Sequence, residues 1–252
     1  MSDMTAPSLF RLRVRYPKQG RLIYLGHLEL IHTIERIVRR AGMPYAVTQG
    51  FSPHMRVGFT SALPVGTGST CEWYDLFLTE LVPPAEALRR LRDASPADLR
   101  PDLAGYVEWR TPALTAQITR QRYRVRLDAA PGAHLAPERV SSALETVRAA
   151  GEVAYLRGKK SKRLSIADTL LDVLVDKTPE GVALMLDTHC DNDGSLRPEI
   201  LIAALDRELT SYAGDEPIQS TGVQEFQSFA RYRVTRTWQG VETGDGSLAE
   251  PL

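Results

Sequence analysis

The chain has 252 residues and carries 31 basic and 31 acidic side chains, which give a formal net charge of zero. Its 43% hydrophobic and 25% charged residues are typical of a globular protein, and no apolar run reaches the roughly 18 residues that a membrane helix needs. The length suits two domains of about 100 residues each. The first ten residues lack the basic and apolar regions of a secretory signal, so we expect a cytoplasmic protein.

Charge is distributed unevenly along the chain. Residues 1–60 hold nine basic and three acidic side chains, and residues 121–180 hold eleven and eight. Residues 181–252 hold five basic and twelve acidic side chains. A polyanion responds to the local field rather than to the net charge, so the two basic regions are compatible with a nucleic-acid partner.

The two cysteines, Cys71 and Cys190, are far apart in the sequence, and neither belongs to a C-x-x-C pair. This spacing argues against a zinc ribbon or an iron–sulfur cluster. A disulfide is disfavoured in the expected cytoplasmic setting. We therefore predict two buried thiols, and we predict neither a metal site nor a cofactor.

The pattern along the chain predicts two domains between disordered ends. Residues 1–8 and 240–252 are polar and aperiodic, residues 9–112 form the first predicted domain, and residues 118–239 form the second. The first domain begins with LFRLRVRY, whose alternation predicts a strand with one solvated face. The guanidinium group suits phosphate, so the alternating arginines of this strand are candidate nucleic-acid contacts: Arg11, Arg13 and Arg15.

A helix is predicted from about His27 to Ala41, and Gly42 is expected to end it. Its apolar stripe is read as Leu28, Ile31, Ile34, Val38 and Ala41, widened by Leu30 and Ile37. The opposite face is basic, and Glu35 is placed to pair with one of its members across one turn. That face adds three candidate contacts: Arg36, Arg39 and Arg40.

The segment QGFSPHMRVGF, residues 49–59, combines glycine and proline residues, which favour turns, with side chains suited to binding a ligand. Its glycines would allow close backbone approach, an aromatic ring would stack on bases, and an arginine would meet a phosphate. The candidate contacts from this loop are Gln49, Phe51, His54 and Arg56. His27 and His54 would form an acid–base pair for RNA cleavage only if the fold brought them together.

The second domain repeats the pattern of the first, opening with RYRVRLD. The order of elements reads β-α-β-β-α-β twice, which predicts an α+β protein of two ferredoxin-like (split βαβ) domains, with antiparallel sheets and helices on one face. Its strongest compositional feature is RGKKSKR, residues 157–163, which we read as a mobile polyanion contact. The candidate residues of this run are Arg157, Lys159, Lys160, Lys162 and Arg163.

The stretch GRLIYLGHLELIHTIERIVRRAGMPYAVTQGFSPHMRVGFTSALPVG resembles the opening block of the radical-SAM-linked protein family. Members of that family are fused to, or encoded beside, cobalamin-type radical SAM proteins. The matching elements are G-R-L at 20–22, H-L at 27–28, R-R-A-G at 39–42 and Q-G-F-S-P-H at 49–54. Gly26, Glu29 and Met55 depart from the family's Ser, Asp and Pro. The resemblance implies work beside a radical SAM protein, and this chain lacks the C-x-x-x-C-x-x-C motif of such enzymes.

Three functional hypotheses follow. The first is a non-catalytic RNA-binding or substrate-presenting partner of a radical SAM enzyme in RNA modification or processing. The second is a metal-independent ribonuclease or RNA-modifying enzyme that uses His27 and His54. The third is a protein-interaction adaptor that binds no nucleic acid and docks the radical SAM partner through its acidic C-terminal quarter.

Overall fold

A computed structural model describes residues 9–191, 194–212, 214, 216–220 and 226–252, so residues 1–8, predicted to be disordered, lie outside the described part. The chain divides into two compact units. The first holds the described residues up to Ile118 together with Gln239–Leu252, and the second holds those of Thr119–Trp238. No helix in the described ranges has the length and apolarity needed to cross a bilayer.

The described residues of the first unit form an antiparallel sheet, three α-helices and two short 3-10 helices (Gly20–Tyr24 and Ala97–Leu99). In chain order its elements are β1 (Phe10–Lys18), α1 (His27–Arg40), β2 (Val57–Phe59), β3 (Gly68–Leu78), α2 (Pro84–Ala94), β4 (Leu103–Val107) and α3 (Leu114–Gln117). The strand order is β4-β1-β3, and β2 also pairs with β3. All of these pairs are antiparallel.

Helix α1 packs one row of apolar side chains against the core of the first unit. The buried members are Leu30, Ile34, Ile37 and Val38, so the apolar face is rotated from the predicted stripe, and Leu28 is exposed. Glu29 accepts a hydrogen bond from the backbone NH of Gly26 at 2.8 Å, which satisfies a donor at the helix start. Gly42 follows the helix with φ of +60°, a conformation that glycine adopts without strain.

Two sheets are formed by the part of the second unit that the structure describes. Its elements are β5 (Arg120–Ala129), α4 (Pro137–Ala149), β6 (Glu152–Arg157), β7 (Lys160–Ser165), α5 (Ile166–Thr169), β8 (Leu170–Thr178), β9 (Gly181–His189), α6 (Pro198–Thr210), β10 (Ile218–Gln219) and the first part of β11 (Phe229–Glu242). The larger sheet has the order β11-β5-β9-β8, and the smaller has the order β10-β6-β7. The buried core includes Val125, Leu184, Ile200 and Leu205.

These sheets and helices confirm the predicted α+β class with mostly antiparallel pairing. The finer assignment to two ferredoxin-like domains stays a prediction. The predicted β-α-β-β-α-β order has two strands between the two helices of the second domain. The described residues between α4 and α6 form four strands: β6 and β7 form a hairpin in the smaller sheet, and β8 pairs with β9 in the larger one.

Residues 240–252 also differ from the predicted disordered tail. The end of β11 pairs with β12 (Leu248–Ala249), and the turn between them is held by Thr243, Asp245 and Ser247. Hydrogen bonds from the Thr243 hydroxyl and the Ser247 backbone lower the pKa of Asp245 to about 2. Polar composition suggested disorder, but these local bonds organise the turn.

Candidate nucleic-acid interface

Arg11 and Arg13 are buried in the first unit, which corrects the expectation of a solvated arginine face on β1. Both side chains bond the carboxylate of Asp75 on β3, Arg11 at 2.6 Å and Arg13 at 2.7 Å. The physical reason is the strand register, which places Asp75 directly opposite Arg13. A carboxylate shared by two guanidinium groups compensates much of the cost of burying them.

Two further segments of the first unit cover this arginine face. Arg11 donates to the carbonyl oxygens of Thr111 and Pro112, and Arg13 donates to the Gln117 side chain and to the carbonyl oxygen of Pro251. Arg15, which is partly exposed, pairs with Asp102 at 2.9 Å and with Glu250 at 2.5 Å. Their hydrogen-bonding capacity is thus used inside the protein, and these three arginines do not form an open phosphate-binding surface.

The basic face of α1 is exposed as predicted from the helical spacing. Arg36, Arg39 and Arg40 all face solvent. Arg39 pairs with Glu35 at 3.3 Å, which confirms the expected contact across one turn, and Arg36 donates to the Thr33 hydroxyl at 2.9 Å. An exposed pair of this kind contributes little to stability, so these side chains can reorient toward a ligand.

The loop at residues 49–54 is a tight projection whose ends are tied together. The backbone NH of Thr48 donates to the carbonyl oxygen of His54 at 2.8 Å, and the NH of His54 donates to the Thr48 hydroxyl at 3.0 Å. Gln49, Phe51 and His54 are exposed, and the Phe51 ring has no cover at all. The loop therefore presents an aromatic ring to solvent.

Arg56 follows this loop and packs within the first unit. Its guanidinium lies 4.6 Å from the centre of the Phe77 ring and 5.0 Å from that of the Trp109 ring. A guanidinium stacked on aromatic rings makes a favourable cation–π interaction with them. Arg56 is therefore held by aromatic packing rather than projecting freely from the loop.

The two candidate catalytic histidines have different neighbours. His27 packs edge-on against Phe59, with ring centres 6.1 Å apart. The Nε2 atom of His54 lies 3.3 Å from the Ser52 hydroxyl. Among the described residues no hydrogen bond links the two rings, so the geometry supplies no acid–base pair.

The basic run 157–163 forms an ordered hairpin rather than the mobile segment predicted. We call residues 157–163 the basic hairpin. Arg157 on β6 lies opposite Lys160 on β7, and Gly158 takes a positive φ of +61° between them. A glycine at the first central position of a two-residue turn favours a hairpin.

All the cations of the basic hairpin are exposed. Arg163 pairs with Glu152 at 2.8 Å. Four others have no carboxylate within ion-pair distance in the described ranges: Arg157, Lys159, Lys160 and Lys162. Strand alternation and the pairing register place Arg157, Lys160 and Lys162 on the same face of the hairpin. This concentration of positive charge is open to a polyanion.

The second unit carries another group of solvent-facing arginines, which the sequence did not lead us to predict as a contact surface. It lies on the larger sheet of the second unit and comprises the exposed Arg122 and Arg124 and the half-buried Arg126 on β5, with the exposed Arg231 and Arg233 on β11; we call it the arginine face. The intervening Tyr123, Val125 and Leu127 are buried. The alternation in RYRVRLD is the sequence signal for this surface, and it has the same form as the alternation in LFRLRVRY.

Comparison with known proteins identifies one family. A family model described as an uncharacterised protein conserved in bacteria (DUF2344) matches residues 11–198. Among curated proteins nothing matches.

Solved structures give distant matches. A chain of a Cbf5-Nop10-Gar1 complex has a TM-score of 0.42 and 9% identity, and the match covers 91% of this chain and 49% of that one. The present chain thus spans about half the length of that protein. An unknown protein from Galdieria sulphuraria has a TM-score of 0.26 and 9% identity, covering 81% of this chain and 94% of that chain.

Proposed function

The chain belongs to the uncharacterised bacterial family DUF2344, and from this premise we propose that it is a non-catalytic RNA-binding or substrate-presenting partner of a radical SAM enzyme. The RNA-binding part of the proposal is supported by exposed cations, and above all by the basic hairpin. The partner is supported by the motifs at 20–22, 27–28, 39–42 and 49–54, which resemble those of the radical-SAM-linked family.

The arrangement of the basic hairpin is the observation that carries the proposal. Arg157 and Lys160 are directly opposite one another, and like charges in that position destabilise an antiparallel pair. Lys162 adds a third cation diagonally across the same face. This repulsion between like charges does not help the hairpin to fold. A bound phosphate backbone would neutralise the cations and remove the repulsion.

Phosphate neutralisation supplies affinity without sequence recognition. Each phosphate contact on a single strand releases counterions, and the logarithm of the binding constant then falls with the logarithm of salt concentration by about 0.7 for each contact. Lysine and arginine on a short turn can follow a flexible strand. The hairpin therefore suits binding to the backbone of single-stranded RNA.

The first unit offers a complementary type of contact. Phe51 is a fully exposed aromatic ring on a loop closed at its base by Thr48 and His54. Stacking of a base on such a ring contributes about 1–3 kcal/mol. The exposed arginines of α1 are further candidates for backbone contact, and both surfaces belong to the same unit.

Fluorescence anisotropy with a labelled oligouridylate tests the RNA-binding proposal. We expect the wild-type chain to bind, and we expect Lys160→Gln/Lys162→Gln to reduce the affinity about tenfold, because two exposed charge contacts with phosphate are lost and each contributes up to about 1 kcal/mol. The RNA should remain intact on a gel throughout. Cleavage by the purified protein would favour the ribonuclease alternative.

A matched control removes the same charge elsewhere. On α2, Arg89 is exposed and Arg90 is half-buried, and both already pair with Glu86. Arg89→Gln/Arg90→Gln therefore changes the net charge equally without removing an unpaired cation. We expect near wild-type affinity for this variant. Equal losses in both variants would show a nonspecific effect of charge and would count against the hairpin as the binding site.

Co-precipitation tests the proposed partner. A tagged form of the chain is used to capture proteins from a lysate of the cells that naturally produce it, with and without nuclease treatment. Recovery of a radical SAM protein supports the partnership, and loss of that recovery after nuclease treatment shows that RNA bridges the two. Nuclease-resistant recovery combined with absent RNA binding would instead support the adaptor hypothesis.

A further inference from the structure

The arginine face of the second unit has a defined origin in strand alternation. Arg122, Arg124 and Arg126 on β5 alternate with core residues, so their side chains leave the sheet on the face away from that core. On the neighbouring β11, Val234 and Arg236 are buried while Arg231 and Arg233 are exposed. Exposed arginines thus converge from two adjacent strands.

A cleft of about 140 Å³ lies where the two strands meet, lined by Arg126, Asp128, Arg231, Tyr232 and Arg233. The space is several times the roughly 30 Å³ that a water molecule occupies in the liquid, which is enough for a phosphate group. The Tyr232 ring is partly exposed and packs edge-on against Phe226, with centres 5.4 Å apart.

The charges of the cleft are only partly balanced within the protein. Asp128 accepts from Arg126 at 3.0 Å and lies 3.3 Å from Arg231, and Glu180 accepts from Arg126 at 2.6 Å. Arg233 has no carboxylate partner in the described ranges, and neither does Arg124 farther along the face. The arrangement leaves a net positive site with an available guanidinium.

We propose that this cleft binds a phosphate group of a nucleic-acid strand through Arg231 and Arg233, an inference that rests on the proposed RNA-binding function. The Arg231 side chain is 79% exposed and is paired with Asp128 through a single contact of 3.3 Å. It can therefore reorient toward an incoming anion. The planar fork of each guanidinium can donate two parallel hydrogen bonds to phosphate oxygens. The buried Phe229 and Val234 fix the strand that carries both arginines.

The full chain is tested with two probes, a labelled oligouridylate and inorganic pyrophosphate. We expect R231Q/R233Q to bind the oligouridylate about tenfold more weakly than wild type, because two solvent-exposed charge contacts with phosphate are lost. Pyrophosphate should raise the melting temperature of the wild-type chain and leave that of R231Q/R233Q unchanged. R89Q/R90Q, which changes net charge equally on α2, should respond as wild type does to both probes.

The two probes separate failure of this site from failure of the proposed function. If R231Q/R233Q matches wild type with both probes while K160Q/K162Q still loses RNA affinity, the cleft is not a phosphate site and the RNA-binding proposal stands. If the wild-type chain binds no RNA but pyrophosphate stabilises it in an Arg231- and Arg233-dependent manner, the phosphate site stands and the RNA-binding proposal fails. Unchanged melting temperatures and no RNA binding would overturn both.

Discussion

Arg13 on β1 lies directly opposite Asp75 on β3, and the two side chains are joined by a hydrogen bond of 2.7 Å in the interior of the first unit. Arg11 bonds the same carboxylate, so one buried anion serves two buried cations. Removing one member of a buried charge group leaves the others without compensation. This arrangement makes Asp75 a structural residue of the first unit.

We expect Asp75→Asn to destabilise the first unit by about 3–5 kcal/mol, because it leaves Arg11 and Arg13 buried without an anion. Urea unfolding followed by tryptophan fluorescence measures the change, since Trp73 and Trp109 belong to this unit. Asp102→Asn is the control: its pair with Arg15 is partly exposed and should contribute at most about 1 kcal/mol. Equal effects of the two substitutions would contradict the buried-charge argument.

Residues 250–252 are expected to stabilise the same unit. Pro251 offers its carbonyl oxygen to the buried Arg13, and the Leu252 side chain lies against Gly105. Deleting the three residues should cost about 1–3 kcal/mol for the buried donor alone, whereas Glu250→Gln should cost less than about 1 kcal/mol. Thermal unfolding compares the two variants, and an unchanged melting temperature after the deletion would show that these contacts contribute nothing.

The contrast between two similar strands shows where sequence interpretation succeeds and where it stops. FRLRVRY and RYRVRLD both predict strands with arginines on one face, and both segments form strands. Arg13 is opposite Asp75, whereas Arg124 is opposite Met185. The register and covering segments come from distant parts of the chain, so local alternation alone could not tell which arginines are buried.

The same limit applies to the loop and the basic hairpin. Exposure of the α1 arginines follows from helical spacing, and the loop at 49–54 was recognisable from its glycine and proline. The packing of Arg56 between Phe77 and Trp109 depends on residues about 20 and 50 positions away, which no local pattern reveals. The basic hairpin is ordered because β6 pairs with β7 on one side and with β10 on the other, which its composition does not reveal.

Phe51 provides a test of base stacking that is separate from stability. Because its ring is uncovered, Phe51→Ala should leave the melting temperature unchanged. If a base stacks on the ring, the substitution should weaken oligouridylate binding by about 1–3 kcal/mol, as for other stacking platforms. Phe59→Ala, which removes contacts with His27 and Tyr74, is a contrasting variant that should lower the melting temperature. Unchanged RNA affinity in Phe51→Ala would exclude the loop as a stacking site.

The Cys190 thiol should be unreactive in the folded protein. Burial is the main cause that raises its pKa to about 11, above the ordinary value of about 8.5, so only roughly one thiol in a thousand is ionised at pH 8. We expect iodoacetamide to label this residue slowly in buffer, rapidly in urea, and faster as the pH approaches the raised value. Rapid labelling at pH 8 without denaturant would show that the thiol is accessible and ionised.

The most direct test of the central claim is the salt dependence of RNA affinity for the wild-type chain and for Lys160→Gln/Lys162→Gln. The account predicts that the slope of the logarithm of the binding constant against the logarithm of salt concentration falls in magnitude by about 1.4, or about 0.7 for each lost phosphate contact. Arg89→Gln/Arg90→Gln should keep the wild-type slope. An identical slope in the hairpin variant, or no measurable RNA binding by the wild-type chain at low salt, would contradict it.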